Sequence, residues 1–294
     1  MTYFRPDKGG VAVAANFLGR RLLRIWPSYA LVTVLAASII WYRSLEQILM
    51  SLAFLPQATK PSLVLGFPTL FVGWTLNYEA YFYLLCAALL LLPERRLFVP
   101  VLSIWVVTTL VLLPLAFGQD LSLPPLEVPA QEYPVLYLAL MTNPIIWEFI
   151  MGAAVALAVR HWQPYLMALD SNRVRYIAVG VILFYLLCYL ALDNKMEPLA
   201  CGLPSALLVA ALVIADMHRA WRVPRWLESA GNASYGIYLL HWLWIFSFRP
   251  LLGQSAWIEA LSVLAVVVLT MLSAEFMHRY YERPILRFGK RWLK

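Results

Sequence analysis

Residues 98–117 read FVPVLSIWVVTTLVLLPLAF, twenty consecutive positions without a charged side chain. A helix rises about 1.5 Å per residue, so such a run covers the roughly 30 Å of hydrocarbon in a bilayer. Similar stretches recur on both sides of it. With the first included they are 26–42, 74–92, 98–117, 144–159, 176–192, 199–215, 234–248 and 257–276, separated by short polar connectors. The whole chain of 294 residues is 62% hydrophobic and 13% charged, with a mean hydropathy of +0.72, well beyond the apolar share of a water-soluble domain. The expectation is an all-α, polytopic transmembrane bundle of about eight spans, forming a single domain over 1–294. The apolar run 45–55 is too short to cross and is expected to be an interfacial or re-entrant helix.

Charge sets the orientation. Of 23 Lys and Arg, only Arg43, Lys60, Lys195 and Arg249 fall in one set of alternate connectors; all others fall in the complementary set, which includes both termini. Basic residues accumulate on the cytoplasmic side of short loops, so both ends are expected inside. The net charge of +7 is spread over five such segments and forms no single stripe, which argues against a nucleic-acid partner. Cys86, Cys188 and Cys201 lie in or beside apolar runs with none of the Cys/His spacing that zinc requires, so no metal is expected. The connector 118–143 carries four prolines, three carboxylates and no Lys or Arg, and reads as an irregular outer loop.

Ionisable side chains inside apolar runs carry the chemistry to be weighed. Glu79, in GWTLNYEAYFYLL, stands among Trp74, Tyr78, Tyr81, Phe82 and Tyr83. Either it reaches the headgroups from an aromatic belt, or it is a buried carboxylate acting as acid, base or orienting group. His241, after SYGIYLL, either shuttles protons or makes a structural hydrogen bond. Entering from opposite sides, Glu79 and His241 are expected at different depths. Glu148, in NPIIWEFIMGAAVALA, sits beside Gly152, Ala153, Ala154 and Ala156, a small-residue surface suited to close helix packing. In FLGRRLLRIWPSY, Arg20, Arg21 and Arg24 precede Pro27, with Arg21 and Arg24 on one face. They fit either a phosphate grip or the ordinary cytoplasmic end of a span. YYERP, after the last run, begins what reads as an amphipathic tail on anionic lipid.

Five of these pieces, RRLLRIWPSY, WTLNYEAYFYL, EFIMG, ASYGIYLLHW and YYERP, in this order and spacing, resemble the acyltransferase-3 family of integral-membrane acyltransferases. The resemblance extends from about Phe17 to Phe288. It implies transfer of an acyl group, usually acetyl from acetyl-CoA, to a carbohydrate such as an exopolysaccharide or lipid-linked sugar, in the bacterial inner membrane. Arg21 and Arg24 match the family's Arg-x-x-Arg motif on the acyl-CoA side, and Glu79 matches the Glu of its Trp-containing motif. Tyr235, Tyr238 and His241 match the late Tyr and His motif, and Glu282 and Pro284 the closing one. Glu79 and His241 are thus the candidate catalytic residues, Arg21 and Arg24 the candidates for acetyl-CoA. Family members usually begin with two further spans, the first carrying the His assigned as base. Residues 1–16 do not supply them, so the eight runs correspond to the last eight of ten, and little acyl transfer is expected from these residues alone. Two other functions compete: a non-catalytic membrane subunit or remnant, and a transporter or flippase of a lipid-linked sugar. The two halves show no repeat of the kind transporters carry.

Overall fold

A computed structural model describes residues 10–39, 44–57, 69–92, 94, 97–116, 136–143, 145–191, 198–251 and 253–292. Among them every regular element is a helix. In chain order these are α1 (Val11–Ile39), α2 (Leu45–Leu52), α3 (Trp74–Leu90), α4 (Phe98–Val107), α5 (Leu113–Ala116), α6 (Leu136–Thr142), α7 (Ile146–His161), α8 (Gln163–Met167), α9 (Ser171–Ala191), α10 (Pro198–Met217), α11 (Arg225–Asn232), α12 (Ser234–Phe248), α13 (Ala256–Met277) and α14 (Arg283–Trp292). A π-helical stretch, Thr108–Leu112, joins α4 to α5, and another, His278–Glu282, joins α13 to α14.

Among the described residues, four helices suffice by length and composition to cross a membrane: Phe98–Ala116, Ser171–Ala191, Ala200–Met217 and Ala256–Gly289. The chain is therefore an all-α membrane protein. The other four expected spans coincide with α1, α3, α7 and α12, of 29, 17, 16 and 15 residues; eight remains the expectation and four is what length and composition establish. The proline-bearing connector lies outside the described residues up to residue 135, as do Arg43, Lys60, Arg95, Arg96 and Lys195.

The chain divides into two units. The larger comprises Met1–Thr108, Ala130–Leu140 and Arg225–Lys294. In it α1 and α3 run antiparallel: the Gly10 amide donates to the Leu90 carbonyl (2.8 Å), Ala14 packs with Ala87 and Leu90, and at the other end Tyr29 lies against Gly73. α12 and α13 form a second antiparallel pair, in which an added Cβ at Gly236 would meet the Ala274 backbone at 3.3 Å. The pattern is inverted relative to a soluble protein. On α13 the buried positions are Ser262, Thr270, Ala274 and Met277, while Leu261, Leu264, Val267, Leu272 and Phe276 are exposed. Lipid rewards apolar side chains on the outside, and helices approach closely through small residues.

α1 begins at Val11, well before the 26–42 run that first marked it. All of α3 lies alongside the stretch of α1 from Gly10 to Tyr29. Arg20, Arg21 and Arg24 therefore stand opposite the middle of α3, not beyond its end. α2, capped by a reciprocal Ser44–Gln47 box, folds back along α1: Ser51 bonds Tyr29 (2.6 Å), and the Leu52 carbonyl accepts from the Trp26 indole (3.0 Å). This packing on α1 fits a helix at the interface as well as one that re-enters.

The smaller unit comprises Thr109–Pro129 and Met141–Pro224. α10 packs against α7 and α9, burying Val174, Ala178, Ala211, Ala215 and Ala220. Arg175, at the start of α9, donates through Nε and Nη2 to the Ala220 carbonyl just beyond α10 (3.1 and 2.9 Å). The connectors bearing Arg175 and Arg219 thus share one end of the unit, as the charge count requires. The close approach of α7 and α10 comes from α10, where Gly202 lies against Met151 and Glu148. This differs from the expected small-residue surface on α7: an added Cβ at Gly152 meets nothing within 4 Å, and Gly152, Ala154 and Ala156 are exposed.

Candidate functional site

The candidate residues converge in the larger unit, around five consecutive positions of α1, Ile25 to Tyr29. Pro27 has no amide hydrogen, which loosens the helical ladder there, and each neighbour is bound by another element. The Ile25 carbonyl accepts from Tyr235 of α12 (2.9 Å) and the Pro27 carbonyl from Tyr281 (3.2 Å). Trp26 and Tyr29 hold α2, as described, and Ser28 donates to Glu282 (3.2 Å). With Tyr29 and Val32 at zero exposure, this belt fixes α1 against α2, α12 and the α13–α14 junction.

One turn before the belt lie the arginines. The Arg20 Nε donates to Asn16 (3.0 Å). The Arg21 guanidinium stands 5.4 Å from the ring centroids of both Phe17 and Tyr83, a cation–π arrangement on two faces. Arg24 is exposed and, among the described residues, makes no ion pair. The Tyr83 hydroxyl in turn donates to the Glu79 carboxylate, one turn earlier on α3. Tyr83 thus couples a cation to a carboxylate through one side chain, its ring facing Arg21 and its hydroxyl facing Glu79.

On α12, Tyr238 donates to the Val72 carbonyl (2.7 Å), and its hydroxyl is also hydrogen-bonded to that of Thr75 at the start of α3. Glu79 lies within electrostatic reach of both Tyr235 and Tyr238. The His241 ring centroid is 5.9 Å from that of Tyr238, and its Nδ1 is 3.2 Å from the Ile237 carbonyl. That contact is a hydrogen bond only with the proton on Nδ1, which leaves the Nε2 lone pair free. Glu79 and His241 are not bonded to each other. Trp242, next to His241, stacks on Phe71 just ahead of α3 (centroids 4.5 Å), whereas Glu79 lies within that helix. Glu148 belongs to the other unit.

A second polar cluster was not anticipated. Glu282, 7% exposed, accepts from Ser28 on one oxygen and meets His278 Nδ1 on the other (2.9 Å). The carboxylate is central and Ser28 does not touch the imidazole, so this is no nucleophile–base arrangement; it ties the π-helical junction to α1. The i,i+4 spacing of His278 and Glu282 was visible in the sequence. The contribution of Ser28, 254 residues away, was not.

The sequence matches the family described as "Acyltransferase domain" over residues 12–275. The chain belongs to the acyltransferase-3 family. It is 30% identical over 293 residues to "Exopolysaccharide production protein ExoZ" of Rhizobium meliloti (strain 1021), an alignment covering 94% of this chain and 82% of that relative. No solved structure matches. Membership makes this chain an integral-membrane member of an acyltransferase family, and its motif residues Arg21, Arg24, Glu79, Tyr235, Tyr238, His241 and Glu282 all lie in the one unit just described. The family match itself runs through both units.

Proposed function

We propose that the protein transfers an acyl group, acetyl, from acetyl-CoA to a hydroxyl of a bacterial cell-surface carbohydrate, an exopolysaccharide by analogy with the relative's name, at the inner membrane. The observation that carries this reading is the chain Arg21–Tyr83–Glu79, with Glu79 in electrostatic reach of Tyr235 and Tyr238, and His241 beside Tyr238. CoA bears a diphosphate and a 3′-phosphate. Arg24, exposed and without a carboxylate partner, and Arg21, held over two aromatic faces, supply guanidinium groups that pair with phosphate through several N–H donors. At the acceptor, the hydroxyl oxygen attacks the thioester carbonyl, its proton passes to the free Nε2 of His241, and the C–S bond breaks to release CoA thiolate, which takes up a proton. Glu79 is held by Tyr83 and orients the tyrosines.

The test is binding and turnover together, with the full chain in lipid nanodiscs. Arg24→Ala should weaken acetyl-CoA binding by about tenfold or more, the loss of one charge-assisted phosphate contact, with an unchanged melting temperature because the side chain is exposed. His241→Gln should abolish transfer of labelled acetyl while leaving binding intact. Wild-type binding without transfer to any carbohydrate would favour the non-catalytic reading. Sugar flux without acyl donor would favour the transporter.

A further inference from the structure

An apolar opening in this unit is lined by residues other than Glu79. It is a groove of about 700 Å³ between α1, the end of α2 and α14, a volume typical of small-molecule sites. All ten residues lining it are apolar, including Leu22, Leu23, Trp26, Phe54, Phe288 and Gly289. The one polar side-chain group among them, the Trp26 indole N–H, is already bonded to the Leu52 carbonyl. A carbohydrate placed here would leave its hydroxyls without partners, at a cost that rules it out. The chemistry of the groove suits a hydrocarbon chain.

Its walls are held in place. At Gly289 an added Cβ would meet Leu23 at 2.5 Å, so α14 lies directly on α1. Phe54 adopts a left-handed backbone (φ 55°) at the end of α2, a conformation that costs a non-glycine residue about 1–2 kcal/mol, and its ring stacks on Tyr29 at 5.4 Å. α14, which forms one wall, carries Arg283, Arg287 and Arg291 at successive i,i+4 positions, all exposed and, among the described residues, without an ion pair. This stripe follows the last span, on the side where basic residues accumulate.

We infer that this groove binds an anionic phospholipid of the cytoplasmic leaflet, with one acyl chain between α1, α2 and α14 and its phosphate on the Arg287–Arg291 stripe. The charge complementarity between these three guanidinium groups and an acidic headgroup, on the helix that forms one wall of the apolar slot, selects this occupant. The inference stands apart from acyl transfer and does not need it.

Native mass spectrometry of the full chain in mild detergent, supplied with equal phosphatidylglycerol and phosphatidylcholine, tests it. One retained phosphatidylglycerol per chain is expected, preferred over phosphatidylcholine by about tenfold, the scale of one to two basic contacts. Leu22→Trp, at an exposed apolar position that tolerates bulk, should fill the groove and remove the retained lipid with the melting temperature unchanged. The pair Arg287→Gln and Arg291→Gln should remove the headgroup preference. Independently of any variant, phosphatidylglycerol with a photoreactive chain terminus should label peptides containing 19–27 and 52–54. Equal retention of both lipids, labelling confined to other helices, stoichiometric displacement by palmitoyl-CoA, or a dimer that retains no lipid would each overturn the assignment.

Discussion

Gly73→Ala tests the placement on which the site depends. A methyl group at Gly73 would lie 2.5 Å from the Tyr29 hydroxyl oxygen, 2.9 Å from its Cε2 and 3.0 Å from its Cζ, each inside ordinary van der Waals contact. Tyr29 has no room to retreat: it is fully buried, stacked on Phe54 and bonded to Ser51, which also accepts from the Thr69 amide (3.2 Å). Overpacking of this kind costs about 1–3 kcal/mol and the displaced hydrogen bond about 0.5–1.5 kcal/mol, so the variant should lose about 2–4 kcal/mol. At about 2–4 °C per kcal/mol for a chain of this size, its melting temperature in detergent should fall by roughly 5–12 °C. Tyr29→Phe alone should cost about 1 kcal/mol. The double variant should be less damaging than the sum by about 1 kcal/mol, because the nearest clashing atom is gone while the two ring carbons remain. A Gly73→Ala protein that melts with wild type, or single effects that add within about 0.5 kcal/mol, would refute the close approach of the α3 start to Tyr29. With it would go the argument that brings Glu79 near the tyrosines of α12.

Two further outcomes follow from contacts already described. Gly202→Ala looks equally crowded, but the nearest atom is the mobile end of Met151, which can swing aside; its thermal melt should shift by less than about 1 kcal/mol equivalent, and a loss matching Gly73→Ala would contradict that. Glu282→Leu strips Ser28 and His278 of their shared acceptor and should cost about 2–4 kcal/mol, read by thermal melting, whereas Ser28→Ala should cost about 1 kcal/mol.

Helix existence was legible in the sequence because it follows from a one-dimensional quantity, runs of apolar residues. The alternation of direction between neighbouring helices was legible too, and the contacts of Arg175 with Ala220 and of Gly10 with Leu90 agree with it. The relative level of the helices was not legible. Helix length alone does not say where α3 starts along α1; the approach of Gly73 to Tyr29 sets it beside the middle of that helix. The shared face of Arg21 and Arg24 could be read from their spacing. That Tyr83 would occupy Arg21 while leaving Arg24 exposed depended on which helix lay opposite, which spacing does not encode. The same holds for IWPSY, whose five residues each find a different distant partner.

Tyr83 separates the two roles assigned to the site. Its ring contacts Arg21 and its hydroxyl contacts Glu79, so Tyr83→Phe keeps the first and removes the second. If the arginines serve the donor and Glu79 serves the reaction, acetyl-CoA affinity should stay within about twofold of wild type, since the cation–π partner persists. Transfer should fall by roughly 10- to 100-fold, the scale of one lost hydrogen bond to a charged group, about 1.5–3 kcal/mol. Tyr83→Leu removes both contacts and should weaken binding as well. Equilibrium binding and single-turnover transfer on the same nanodisc preparation separate these effects. A Phe variant that loses affinity while its bound fraction turns over normally would invert the assignment. Glu79 would then belong to the donor site through Arg21, and the chemistry would have to rest on α12 alone.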